Sequence, residues 1–178
     1  VDMRAYVKRL WLMSTVILLA PVFASAGVGS IDGFYRVSER VAIGTQPTPE
    51  QVTDLGGEGF NGIVNLREES EFNDGPQSHA ARESGMQFVR VPFSSKNPSD
   101  AAVEKFLAAT DDDALYPVFI YCASANRAAA LWMIRRVLRD GWTLADAESE
   151  AERAGLTSAT LRDFARDYVR RYAVKESR

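Results

Sequence analysis

Short apolar runs alternate with capped helix starts along most of this chain, and that alternation is what most limits the folds open to it. Phe34 to Val37 and Val41 to Ile43 are two β-rich runs split by polar Ser38-Glu39-Arg40, which reads as a hairpin. Thr48 and Pro49 then stand where an N-cap and a first helical residue belong, with Glu50 and Gln51 in the first turn, and Gly56, Gly57 and Gly59 close that helix. The order repeats: a strand over Gly62 to Leu66, a weaker helix over Gln77 to Ser84 stopped by Gly85, and a strand in "MQFVRVP". A helix capped by Ser99 follows, then the buried strand "PVFIY" and the helix "RAAALWMIRRVLRDG". Two amphipathic helices, "TLADAESEAERAGL" and "TSATLRDFARDYVRRYA", each opened by Thr, complete the chain. This order predicts an α/β sandwich with a mostly parallel central sheet flanked by helices. In such sheets ligands sit outside the carboxyl ends of the strands. Three polar segments should converge there: "REESEFND", "FSSKNP" and "CASANR".

The first 26 residues stand apart. Arg4, Lys8 and Arg9 precede an apolar run that ends in Ala24-Ser25-Ala26, the layout of a secretory signal peptide. Cleavage near Ala26 is expected, leaving residues 27–178 as a single domain in the periplasm or outside the cell. An uncleaved anchor is the alternative, against which Pro21 and the shortness of the run speak, since a span needs about 20 apolar residues. A net charge of −3 gives no basic face for nucleic acid. One Cys and one His exclude an internal disulfide and an ordinary structural zinc site, so no metal and no cofactor are expected.

The single cysteine lies where strand meets helix, in "VFIYCASANRAAALW". A loop of small residues there can turn its N–H groups around an anion, and the same field favours a thiolate over a thiol. Arg127 can hold two oxygens of a tetrahedral oxyanion. Cys122 and Arg127 are therefore the candidate catalytic pair, with Ala123, Ser124, Ala125, Asn126 and Arg127 as the anion-binding loop. Together they suit covalent phosphoryl transfer through a phosphocysteine. The plain alternative is a buried cysteine at a strand end with Arg127 in a salt bridge.

Taken with "GTQPTPEQ", "GIVNLREESE" after a "GF" turn, and "FVRVPFSS", the loop resembles the cysteine-dependent protein tyrosine and dual-specificity phosphatase superfamily. The likeness is nearest to the phosphatase-like domain of beta-lactamase-hydrolase-like proteins and small bacterial relatives, and covers roughly Ile31 to Val137. It implies the phosphatase sandwich, Cys122 as nucleophile, Arg127 as phosphate-binding arginine, and a phosphorylated small molecule or phosphoprotein as substrate. Four residues separate Cys122 from Arg127, where the wider superfamily has five, and this shorter spacing also suits a rhodanese carrying a persulfide on Cys122. A noncatalytic anion-binding module is the third reading. The superfamily's acid is an Asp after the strand matching "FVRVP", where this chain has Ser94, Ser95 and Lys96 instead. Glu68, Glu69, Glu71 and Asp74 in the loop after Leu66, and Asp100, which also suits the first turn of the next helix, are the candidate replacements, with Glu71 preferred to Asp100; Arg67 and Ser95 are candidates to line the site. Arg67 equally suits pairing with a neighbouring glutamate, and Arg135, Arg136 and Arg139 are expected on an exposed helix face.

Overall fold

The computed structural model describes residues 30–173, so the expected signal peptide lies outside the described residues. Five strands form one sheet in the order β1-β2-β5-β3-β4, made of β1 (Tyr35–Ser38), β2 (Val41–Thr45), β3 (Gly62–Asn65), β4 (Gln87–Arg90) and β5 (Val118–Cys122). Only β1 is antiparallel to its neighbour; β2, β5, β3 and β4 run parallel, which brings their carboxyl ends to one edge. The helices are α1 (Pro49–Gly57), α2 (Gly75–Glu83), α3 (Asp100–Thr110), α4 (Asn126–Leu138), α5 (Leu144–Arg153) and α6 (Ala159–Ala173). No helix among the described residues is long and apolar enough to cross a membrane.

Side chains alternate across a strand, and β5 shows what that does here. Val118, Ile120 and Cys122 enter a core shared with α3, α4, α5 and α6, while Phe119 and Tyr121 enter a second core under α1 and α2. Each core is closed by helices with legible starts. The Thr48 hydroxyl accepts from the Gln51 amide at 3.2 Å, and the Gln51 side chain accepts from the Thr48 amide at 2.8 Å, a complete capping box. Ser99 and Thr143 cap α3 and α5 in the simpler way. At α6 the cap is Ser158, whose hydroxyl accepts from Leu161, rather than the preceding Thr157. α2 starts at Gly75, two residues ahead of expectation, because Pro76 suits a first turn that needs no amide there.

α4 lies at the centre of the larger core: Arg127 through Ile134 are all buried. The expectation that Arg135 and Arg136 face solvent is corrected by the helices that cover it. Arg136 donates to both carboxylate oxygens of buried Glu150 on α5, at 2.7 and 2.9 Å, and its guanidinium stacks on Trp142. Arg135 pairs with Asp140 at 2.6 Å, and Arg139 pairs with Asp111 at 3.1 Å.

Candidate active site

Cys122 is the last residue of β5, fully buried, and in register with Thr45 at the end of β2. The chain must then turn and begin α4 within three residues. Ala125 does this with φ = +61°, a left-handed conformation that costs an alanine about 1 kcal/mol. Its carbonyl accepts the first helical hydrogen bond, from Ala129 at 2.9 Å, so α4 opens directly onto the cysteine. The first-turn amides of a helix have no intrahelical partner, and that end carries partial positive charge.

Arg127 returns toward Cys122 from the first turn of α4 and is only 4% exposed. One guanidinium nitrogen, Nη1, donates to Glu71 Oε2 at 2.8 Å and to the Phe93 carbonyl at 3.1 Å, and the guanidinium lies within electrostatic reach of Cys122. Burial works against its charge, but the Glu71 carboxylate and the Cys122 sulfur more than offset it, holding the proton more tightly than usual. Burial pushes Glu71 the other way, toward protonation. The hydrogen bonds from Arg127 and the Glu68 amide, with the nearby positive charges, outweigh that and hold its carboxyl below the usual range. Glu71 thus sits against Arg127 as a carboxylate acceptor.

The other candidates are placed as follows. Asp100 lies in the first turn of α3, where its two oxygens take Arg171 at 2.5 and 3.0 Å and the Tyr172 hydroxyl at 2.9 Å. Arg171 first, then Tyr172, outweigh partial burial and keep Asp100 ionised as well. Ser95 is exposed in the loop after β4, and Ala123 and Ser124 are exposed in the cysteine loop. Asn126 turns its side-chain oxygen away from the loop toward the α5–α6 connection, accepting from the amides of Thr157 and Ser158 at 2.8 and 2.7 Å. Arg67 donates to Gln46 Oε1 and to the Glu71 carbonyl, so its pairing is with the loop that carries Glu71.

Gln46, the Phe93 carbonyl, Gly155, Thr157 and Ser158 were absent from the sequence-derived site. Gln46 had a signal. It directly follows β2, whose carboxyl end shares the edge with β3 and β5. Nothing in the sequence points to residues 155–158, which reach the loop from about thirty residues downstream.

A sheet of this order, with one cysteine closing its central strand and an arginine reaching back from the next helix, defines the cysteine-based tyrosine and dual-specificity phosphatase-like fold. The chain belongs to the family of the phosphatase-like domain of beta-lactamase hydrolase-like proteins, which matches residues 33–139. Beta-lactamase hydrolase-like proteins of Xylella fastidiosa and Agrobacterium fabrum are each 29% identical to it, over 57% and 58% of the chain. Those matches take in 24% and 25% of the relatives' own lengths, so the chain spans about a quarter of each. Among solved structures, the core catalytic domain of the PP-IP phosphatase SIW14 from S. cerevisiae superposes with a TM-score of 0.67 at 21% identity, over 83% of this chain and 94% of that one. TpbA of P. aeruginosa superposes with a TM-score of 0.62 at 21% identity, over 80% and 85%. These two establish a shared fold.

Proposed function

We propose that the protein is an exported cysteine-dependent phosphatase that hydrolyses phosphate monoesters of a small molecule or a protein through a phosphocysteine. The observation that carries this reading is the Cys122–Arg127 pair: a buried sulfur at a helix start, close to a buried arginine whose orientation is fixed by Glu71 and Phe93. Export rests on the basic, apolar and small-residue order of the first 26 residues.

In the first step the Cys122 thiolate attacks phosphorus. The S–P bond forms as the P–O bond to the leaving group breaks, and the electron pair departs with that oxygen. Loop amides and Arg127 hold the three remaining oxygens, whose charge is greatest in the transition state. In the second step water attacks phosphorus, the P–S bond breaks, and the thiolate and inorganic phosphate are released, with the water proton passing to solvent. With Glu71 engaged by Arg127, Asp100 by Arg171 and Tyr172, and Asp74 by Asn65 and Arg90, this reading has the departing oxygen take its proton from solvent. Aryl phosphates, whose leaving groups are stable anions, are therefore the favoured class; a positioned acid would be worth about 10²- to 10⁴-fold on the others.

The test is turnover of p-nitrophenyl phosphate by the purified protein. Inhibition by orthovanadate and loss in Cys122→Ser are expected, and turnover that survives Cys122→Ser overturns the reading. The four-residue spacing between Cys122 and Arg127 favours one second reading, a sulfur carrier. Thiocyanate formed from thiosulfate and cyanide, without phosphate release, would establish that instead.

A further inference from the structure

The Glu71 loop is the only segment between β3 and α2, and as an exposed polar turn it has little of its own to fix its shape. It is closed from within by Glu71, whose amide donates to the Glu68 carbonyl at 3.0 Å and whose carboxylate accepts from the Glu68 amide at 2.9 Å. It is closed from outside by Arg67. The Arg67 Nη2 donates to the Glu71 carbonyl at 3.1 Å, its Nη1 donates to Gln46 Oε1, and its guanidinium stacks on the Phe72 ring at 5.0 Å. Its Nε is buried without a hydrogen-bond partner and faces Glu71 Oε2 at 3.9 Å. Gln46 stands on a braced segment, because the next residue, Pro47, accepts from the buried Gln77 side chain of α2 at 3.1 Å.

From this chain of contacts we infer that Gln46 and Arg67 are positioning residues for the reaction. Gln46 fixes Arg67, Arg67 fixes the Glu71 turn, and Glu71 fixes the guanidinium of Arg127. The inference rests on the reading of the Cys122 loop as an oxyanion site. It gives Arg67 a role other than direct phosphate binding. Both terminal nitrogens are committed, the third faces Glu71, and the side chain is only 18% exposed. An arginine is suited to this post because its planar fork serves two acceptors in fixed directions while its face packs on an aromatic ring.

The experiment follows oxyanion binding separately from turnover, by the protection that inorganic phosphate gives Cys122 against iodoacetamide. Gln46→Leu and Arg67→Lys should each weaken apparent phosphate affinity about tenfold, a change of about 1.4 kcal/mol, and lower kcat/KM for p-nitrophenyl phosphate in parallel. Gln46→Glu, which keeps an acceptor for Arg67, should recover affinity to within about twofold of wild type. In a Glu71→Gln background, Gln46→Leu should add less than about twofold, since the contact through which it acts is already altered. A Gln46→Leu protein that melts lower yet binds phosphate like wild type would show a purely structural contact and overturn the inference. Full additivity of Arg67→Lys with Glu71→Gln would overturn it too, by placing Arg67 on the oxyanion itself. Wild-type protection without turnover would defeat the phosphatase reading while leaving the positioning test intact; neither protection nor turnover in wild type would defeat both.

Discussion

Gly155→Ala is the substitution that most sharply separates the shape of the cysteine loop from the stability of the domain. Gly155 has φ = +104°, a conformation L side chains rarely adopt, and a Cβ built there lies 3.1 Å from the Cβ of Ala125. Two costs follow. The backbone conformation contributes about 1–3 kcal/mol of strain, and the contact, tighter than ordinary packing, adds about 1 kcal/mol more if Ala125 yields by a few tenths of an ångström. The total of about 2–4 kcal/mol corresponds to a fall in Tm of about 5–15 °C for a domain of this size. Ala125 is already held left-handed between Cys122 and the first turn of α4, so the displacement falls on the loop. Phosphate affinity, read by protection of Cys122, should drop at least about tenfold, or 1.4 kcal/mol. Ala125→Gly removes the contact but leaves the strain at residue 155. In the double variant, phosphate affinity should therefore recover while much of the stability loss remains, with a coupling of at least about 1.4 kcal/mol in the affinity cycle. Alone, Ala125→Gly should be nearly neutral for stability, because relief of the left-handed alanine is offset by greater freedom in the unfolded chain. If the double variant binds phosphate no better than Gly155→Ala, the contact does not transmit the displacement and the reasoning fails.

Gly62→Ala should destabilise by at least about 3 kcal/mol, measured as a shift in urea midpoint, because its Cβ would sit 2.5 Å from the Leu115 carbonyl oxygen, which cannot swing aside. Glu150→Ala leaves the buried Arg136 guanidinium with Asp140 at 3.0 Å as its remaining carboxylate, and should cost about 3 kcal/mol in the same assay, with Glu150→Gln losing less. Glu71 has its folded pKa below the ordinary glutamate value of 4.5, so the stability it contributes is present above that value and is lost as pH falls through the folded one. The urea-midpoint difference between wild type and Glu71→Gln should accordingly stay constant from about pH 8 to pH 5.5 and shrink only at lower pH; a difference that vanishes near neutrality would show that Glu71 is protonated there. Asn126→Asp keeps an acceptor for Thr157 and Ser158 and places negative charge at the start of α6, so stability should hold or rise. The same charge beside the loop should weaken phosphate binding severalfold at low salt, and unchanged affinity would mean that residue 126 lies outside the field of the anion.

Where the sequence was legible, a local rule and the tertiary structure agreed. Thr48, Pro49 and Gln51 mark the start of α1 because a capping box needs only residues three apart. The parallel order of strands brings the loops after β3, β4 and β5 to one edge, as the alternation of strands and helices implied. Contacts between distant segments were not legible. Arg135 and Arg136 looked like a solvated face because periodicity on α4 carries no record of α5 lying across it; the partner that decides the matter is Glu150, on another helix. Glu71 is the same case at the site. A glutamate in a convergent loop suits either a proton donor or an arginine partner, and the 2.8 Å contact with Arg127, which shows the second arrangement, joins residues 56 positions apart. Asp100 stood in the sequence as a candidate acid in a helix first turn, and it is α6 that brings Arg171 and Tyr172 against it.

The shortness of the cysteine loop explains why so much of its support comes from elsewhere. Four residues between Cys122 and Arg127 must reverse the chain, start a helix and leave an arginine facing back, and small side chains alone cannot hold that shape. Three separate segments do so. Glu71 and the Phe93 carbonyl fix Arg127 from the loops after β3 and β4, the amides of Thr157 and Ser158 hold Asn126, and the missing side chain of Gly155 leaves room for Ala125. The last two supports come from residues 155–158, beyond the 33–139 stretch that matches the family. α5 and α6 are therefore more than a cover for the core, because the connection between them contacts the backbone and side chains of the loop that holds Cys122, the proposed nucleophile. Changes in that connection should alter oxyanion affinity even where no side chain in it touches a ligand, whereas changes on the outer face of α6 should alter stability alone.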